Sequence, residues 1–220
     1  MARVPRLVPV LSRRPAAVLL AFTLLFGPAG LSAGGAPAAG QAPSPTPFDG
    51  RPAAGRVLVA ADKLQDPYFR HTVVLLLEHD GQGTLGMIIN RPTTLSLSSL
   101  SEKFLRAGDV DLLYYGGPVQ PMSFSMLVAT ETAGAGQRPV LQNLYHVFGA
   151  HRIMTAIAQL EPHAAVRIYS GYAGWAPGQL EHEIRLGGWR VLPGESAQVF
   201  SDTPEQLWDE LSRLLQGHWL

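Results

Sequence analysis

Two rhythms of apolar positions run along the chain. RVLVAA (56–61), TVVLLLEH (72–79) and TLGMIIN (84–90) are short apolar runs rich in β-branched residues, and they predict strands. The middle run is apolar nearly throughout, as expected of a strand buried on both faces. Asp80-Gly81 in DGQG (80–83) joins it to the next as a hairpin, because both residues tolerate the positive φ of a tight turn. Asp66-Pro67 starts a turn in LQDPYFRH (64–71), and Arg91-Pro92 ends the hairpin, since proline donates nothing to a ladder.

Further strands are predicted in DLLYYGGPV (111–119), SFSMLVAT (123–130), NLYHVF (143–148) and AAVRIYSGY (164–172), with short ones in WRVLP and AQVF and a loop over 131–139. Helical spacing marks Ser96 to Arg106 through Leu97, Leu100, Phe104 and Leu105, and 150–160 through Ile153, Ile157 and Leu160. SGYAGWAPGQLEHEI (170–184) ends a strand, turns through glycines around Trp175, and opens a helix at Pro177 that Gly187-Gly188 stops. A last helix opens at Thr203-Pro204, with Leu207, Leu211, Leu214 and Leu215 as its buried stripe. Strands and helices without strict βαβ alternation, opening on a hairpin, define an α+β domain.

Composition changes the picture chiefly at the start of the chain. Arg3, Arg6, Arg13 and Arg14 precede the 11-residue run AAVLLAFTLLF, and small residues follow it. That is the pattern of a secretory leader, and the run is shorter than the ~20 residues a membrane span needs. The expected organisation is a leader over 1–38, a Pro/Ala-rich linker over 39–54 and one domain over 55–220 with no transmembrane span. Export to the periplasm is expected; a start placed too far upstream would instead leave a cytoplasmic protein. Four of the 17 Lys/Arg and one of the 17 Asp/Glu lie in the first 50 residues, leaving 13 against 16 in the body. That slightly acidic body has no basic stripe, which argues against a nucleic-acid partner. The chain has no cysteine, which removes disulfides and thiolate chemistry.

The remaining chemistry is sparse. His71 and His79 sit at opposite ends of one strand, and His182 lies between Glu181 and Glu183 without a second histidine at metal spacing. His146 and His151 likewise lack ligand spacing. Neither a nucleophile elbow nor a phosphate loop occurs, so no catalytic residue, cofactor or metal is assigned. An acid–base site would need folding to bring Asp66, His71 and Glu183 together. The aromatic-glycine stretches Tyr114-Tyr115-Gly116-Gly117-Pro118 and Gly171-Tyr172-Ala173-Gly174-Trp175 are first a way to pack backbone closely, and second an anchor surface for a protein or small-molecule partner.

Four stretches taken together, 64–92, YYGGPVQ (114–120), 170–184 with GGWRVLP following, and LWDELSRLL, resemble the YqgE/AlgH family of bacteria, which has plastid relatives. The resemblance implies one α+β domain whose bulged, mixed, partly barrel-like sheet is flanked by helices. It supplies no catalytic residues, and some members carry a transcriptional-regulator label. The motif positions are Gln65, Asp66, Pro67, Asn90, Arg91, Pro92, Gly116, Gly117, Pro118, Gly171, Tyr172, Gly174, Trp175, Pro177, Gly178 and Gln179. From these and the aromatic stretches, the candidate binding surface is Asp66, Asn90, Tyr115, Gly116, Gly117, Tyr172, Trp175 and Gln179. The leader and the stretch QPMSFSM depart from the family pattern. A non-enzymatic binding or regulatory protein is the reading these features favour; a small hydrolase-type enzyme and a transcriptional regulator are the alternatives.

Overall fold

A computed structural model describes residues 50–97, 112–134, 136–161 and 164–217. Ten strands make one mixed sheet: β1 (Arg56–Ala60), β2 (Val73–Asp80), β3 (Gly83–Ile88), β4 (Pro92–Ser96), β5 (Leu112–Tyr115), β6 (Val119–Ala129), β7 (Arg138–Leu141), β8 (Leu144–Phe148), β9 (Ala165–Trp175) and β10 (Trp189–Pro193). Its main path is β10-β1-β2-β3-β9-β6-β8-β7, with β5 set against β9 and β4 against β5. Among the described residues only β5 and β9 pair in parallel, from Leu113↔Ile168 to Tyr115↔Ser170. Register shifts in β2–β3, β6–β9 and β7–β8 mark bulges. The expected α+β class, with a bulged and mixed sheet, is what the chain forms.

The sheet curls far enough for its last strand, β7, to reach β2. Arg138 Nη1 on β7 donates to Glu78 Oε1 on β2 at 2.7 Å. The pleat then sorts side chains onto separate cores, since successive residues point to opposite faces. Val57, Val59, Val73 and Leu75 enter the core inside the curl, with Leu127, Leu144 and Tyr169 from the other half. Their neighbours Leu58, Ala60, Val74 and Leu76 enter a second core on the outer face with Trp175, Leu180 and Trp189. Both faces of β1 and β2 are therefore dry, which is why their sequence reads as unbroken apolar runs. A third core joins Met126, Val128 and Ile168 to Ile153 of helix α1 (Ala150–Ile157).

Helix α2 spans Gln179–Arg185, α3 Ser196–Val199 and α4 Leu207–Gly217, the last entered through a 3₁₀ turn at Pro204–Gln206. Leu207 and Leu211 of α4 are buried against the inner core. Each contributes about 1.5–3 kcal/mol, more than the ~1 kcal/mol of the Trp208 Nε1 hydrogen bond to the Ala60 carbonyl. Apolar contact thus docks the helix, and the indole bond, with the His71 ring tilted against Trp208, fixes its rotation.

Several expected elements differ. β9 does not end in a turn after Tyr172 but continues to Trp175, because Ala173 and Gly174 pair with Gly86 and Leu85 of β3. AQVF is not a strand: Ser196–Val199 is helical, with a reciprocal capping box between Glu195 and Gln198. Pro92–Ser96 and Arg138–Leu141 are strands where the end of the hairpin and a loop were expected: β4 pairs with β5 about 20 residues on, and β7 forms a tight hairpin with the adjacent β8. Leu214 faces outward at 60% exposure rather than joining the stripe of α4. Most of the helix expected over 96–106 lies outside the described residues; Ser96 closes β4, and Leu97 is buried in the third core.

Candidate functional site

The QDPYFRH and NRP stretches are two halves of one locked loop. Asp66 Oδ1 accepts hydrogen bonds from the backbone N–H of Tyr68 at 2.8 Å and Phe69 at 3.1 Å. From the end of the hairpin, Arg91 donates to the carbonyls of Tyr68 and Arg70, each at 2.8 Å. The buried Asn90 beside it accepts from the Val73 N–H at 2.8 Å and donates to the His71 carbonyl at 3.0 Å. That second bond holds His71 in its left-handed backbone conformation, φ 55. Tyr115 joins the group through its N–H, which donates to the Arg91 carbonyl at 2.9 Å. Burial raises the Tyr115 phenol pKa, and the positive charge of Arg91 opposes the rise; the carboxylate of Asp66 and the phenol of Tyr68 also act on it. Burial likewise lowers the Arg91 pKa.

Phe69 carries this loop onto a second assembly. Its ring stacks on Trp175 at 5.8 Å and meets Trp189 edge-on at 5.7 Å, while the two indoles cross each other at 5.9 Å. Glu183 of α2 is the polar hub beneath them. One carboxylate oxygen accepts the indole N–H of Trp175 at 3.1 Å and of Trp189 at 2.8 Å, and the other accepts from Gln179 Nε2 at 2.9 Å. Gln179 in turn accepts the Ala176 N–H at 3.0 Å. A seven-residue helix is too short to persist on its own; buried Leu180 and this hub hold it in place. Trp175, read first as a packing residue and second as a candidate anchor, is 5% exposed and has its one donor engaged.

The two aromatic-glycine stretches meet in space, backbone against backbone. The Gly116 N–H donates to the Ser170 carbonyl at 2.8 Å, and the Gly116 carbonyl accepts from Ile88 at 2.9 Å. A Cβ on Gly117 would strike the Tyr172 carbonyl, and one on Gly171 would strike the Gly117 carbonyl. Gly171 bends β9 at φ 68, between the pairing of Ser170 with β5 and that of Ala173 with β3, while β6 pairs on either side of it. Tyr172 leaves this crossing half-buried against the inner core.

Asp66, His71 and Glu183 do not form an acid–base group. Asp66 caps its own loop, the His71 ring lies on Trp208 at 4.1 Å, and Glu183 serves the two indoles. His79 bonds Thr84 Oγ1 at 2.8 Å and lies 3.5 Å from Glu181; His182 is exposed. Among the described residues no group of three or more His, Asp or Glu could hold a metal ion, and no helix is long and apolar enough to cross a membrane. Tyr68, Phe69 and Trp189 belong to this region although nothing in their spacing singled them out.

His146 lies apart, buried between β8 and β6, with Nε2 3.1 Å from Ser125 Oγ. Burial, with Arg138 nearby adding to the effect, depresses its pKa to about 4. The unfolded chain takes up this proton near the ordinary pKa of ~6.5 and the folded chain only near 4, so the contribution is complete above ~6.5. It is lost as pH falls through that window, on the order of 3 kcal/mol in total. Melting curves from pH 7 to 4 are expected to fall less steeply for His146→Gln than for the parent chain; parallel curves would mean that His146 titrates normally.

A curled, mixed sheet with helices packed against it makes this a single α+β domain. The AlgH-like family model matches residues 57–220. A UPF0301 protein of Streptomyces coelicolor is 40% identical over 168 residues, covering 74% of this chain and 86% of that one. Another, from Methylococcus capsulatus, is 35% identical over 160 residues, covering 71% and 87%. The chain belongs to the AlgH-like family. Among solved structures, the AlgH protein of Pseudomonas aeruginosa matches with a TM-score of 0.61 at 30% identity, over 76% of this chain and 89% of that one. A crystal structure of a Corynebacterium diphtheriae protein matches with a TM-score of 0.65 at 26% identity, over 74% and 87%.

Proposed function

We propose that this AlgH-like chain is a non-enzymatic binding or regulatory protein that docks a protein or small-molecule partner on the ridge where Tyr68 stands beside Arg91 and Tyr115. One observation carries the reading: Tyr68 is 53% exposed on a loop whose backbone is held by Asp66 and Arg91. A large aromatic on a pre-ordered loop loses little freedom on binding, the usual property of an interface anchor. The acid–base candidates, by contrast, are occupied in holding the fold. A photoreactive phenylalanine analogue at position 68 is expected to crosslink a discrete partner in native cells, whereas the same group at the exposed Leu214 does not. Tyr68→Ala is expected to abolish capture with stability within about 0.5 kcal/mol of the parent, as for most surface positions. The same products from both positions, or none from position 68, would sink the ridge.

Export belongs to the same proposal, on the strength of the basic and apolar leader pattern. Mass spectrometry of the native protein is expected to find a mature start after Ala33 or Ala38 in an exported fraction. A cytosolic protein starting near Arg51 would overturn export.

A further inference from the structure

We infer that residues 195–203 form a strap that opens as a unit of its own, and that Arg167 of β9 is the latch that keeps it shut. The segment joins β10 to the 3₁₀ turn before α4 and is fastened at both ends. The Gly194 N–H donates to the Gly55 carbonyl at 3.1 Å, and Pro204 is buried. Between these points little holds it. Helix α3 is a single turn, too short to persist alone. The hydrogen bonds of the Gln198 N–H to Glu195, the Phe200 N–H to Ser196 and the Thr203 N–H to the Ser201 hydroxyl all stay within the segment. Val199 is its one fully buried side chain, set in the inner core with Phe200 half-buried beside it.

Arg167 supplies the tie to the sheet. It stands opposite Leu127 of β6, which places it on the inner face of the curl. From there its guanidinium donates to the carbonyls of Val199 and Ser201. The guanidinium carbon lies 4.6 Å from the centre of the Tyr114 ring and 5.9 Å from that of Phe200. Two charge-assisted bonds and the contact with the ring faces thus clamp one side chain between sheet and strap. The closed arrangement is imperfect at the same place. The Tyr169 hydroxyl is fully buried, and its approach to Arg167 falls short of a full hydrogen bond. Water entering on opening satisfies that hydroxyl and the two freed carbonyls, which offsets part of what is lost. Opening also leaves the ladders of β10, β1 and β2 paired, so it is easier than unfolding the sheet. No residue of the Tyr68 ridge takes part, and the inference stands apart from the docking reading.

The absence of cysteine from the chain makes the test direct. Val199→Cys in the strap and Val74→Cys on β2 each place one thiol where the parent side chain is wholly buried. Labelling by a maleimide under native conditions reads how often each position is uncovered. The Val199→Cys chain is expected to label roughly 100-fold or more faster than the Val74→Cys chain. Adding Arg167→Gln is expected to speed labelling of the Val199→Cys chain at least about tenfold, because both latch bonds are gone. Arg167→Lys keeps the charge without the fork and is expected to give a smaller acceleration, so the latch stays testable if the glutamine variant does not fold. Equal labelling at the two positions would show that strap and sheet open together. Labelling of the Val199→Cys chain that is indifferent to the Arg167 substitutions would show that Arg167 is no latch. Either result overturns the inference.

Discussion

Glu183→Ala is expected to lower the melting temperature by roughly 5–12 °C, corresponding to about 2–4 kcal/mol in a domain of this size. One carboxylate oxygen serves the indole N–H groups of both Trp175 and Trp189. Alanine leaves two donors on almost fully buried rings without their acceptor, and each stranded donor costs about 1–3 kcal/mol. The lower part of that range applies because Glu183 itself is only half-buried and water can reach part of the gap. Gln179 loses its partner as well, so α2 loosens where it leaves the sheet. Glu183→Gln keeps an acceptor oxygen and is expected to lose about 1 kcal/mol. Thermal melts followed by tryptophan fluorescence report the hub directly. A parental melt for the alanine variant would show that neither indole depends on the carboxylate.

Substituting the glycine crossing has a larger expected effect. Gly171→Ala and Gly117→Ala are each expected to remove most soluble, cooperatively folding protein. Gly171 at φ 68 and Gly117 at φ 150 occupy backbone regions that side chains rarely adopt, a strain of about 1–3 kcal/mol each. Collision adds to strain, because the Cβ at either position would meet backbone, and backbone fixed in a paired sheet cannot move aside as a flexible side chain can. Together these costs approach the ~5–15 kcal/mol that stabilises a typical domain. Gly81→Ala is the control: its added Cβ meets nothing within 4 Å. Comparing soluble yield and melting of the three variants decides the matter. A Gly171→Ala chain that folds like the Gly81→Ala control would mean that the crossing is loose.

Local chemistry made much of the fold legible. The hairpin at Asp80 was readable because Asp-Gly marks a tight turn; Asp80 accepts from the Gln82 N–H at 2.7 Å, while the positive φ falls on Gly83 rather than on Asp80 or Gly81. β1 and β2 were readable because strands wet on neither face cannot alternate. The extension of β9 to Trp175 was not, because glycines that signal a turn in isolation also allow strands to pack closely at a crossing. Nor was the helix at Ser196–Val199, since four residues contain too little of either period to separate helix from strand.

By itself, the sequence determined the α+β class, the order and type of most elements, and the motifs that place the chain in its family. These depend on pleat, helical period and turn chemistry, all of which act between residues close along the chain. Only the tertiary structure decided what the motif residues do. Asn90 and Arg91 lock a loop some 20 residues earlier in the chain. Glu183 holds two indoles, and Gly117 meets Tyr172 and Gly171 across the crossing. The same kinds of residue could have formed an acid–base site or an exposed groove. Which outcome prevailed was settled by pairing across long separations, where the requirement to satisfy every buried donor and acceptor leaves few arrangements open.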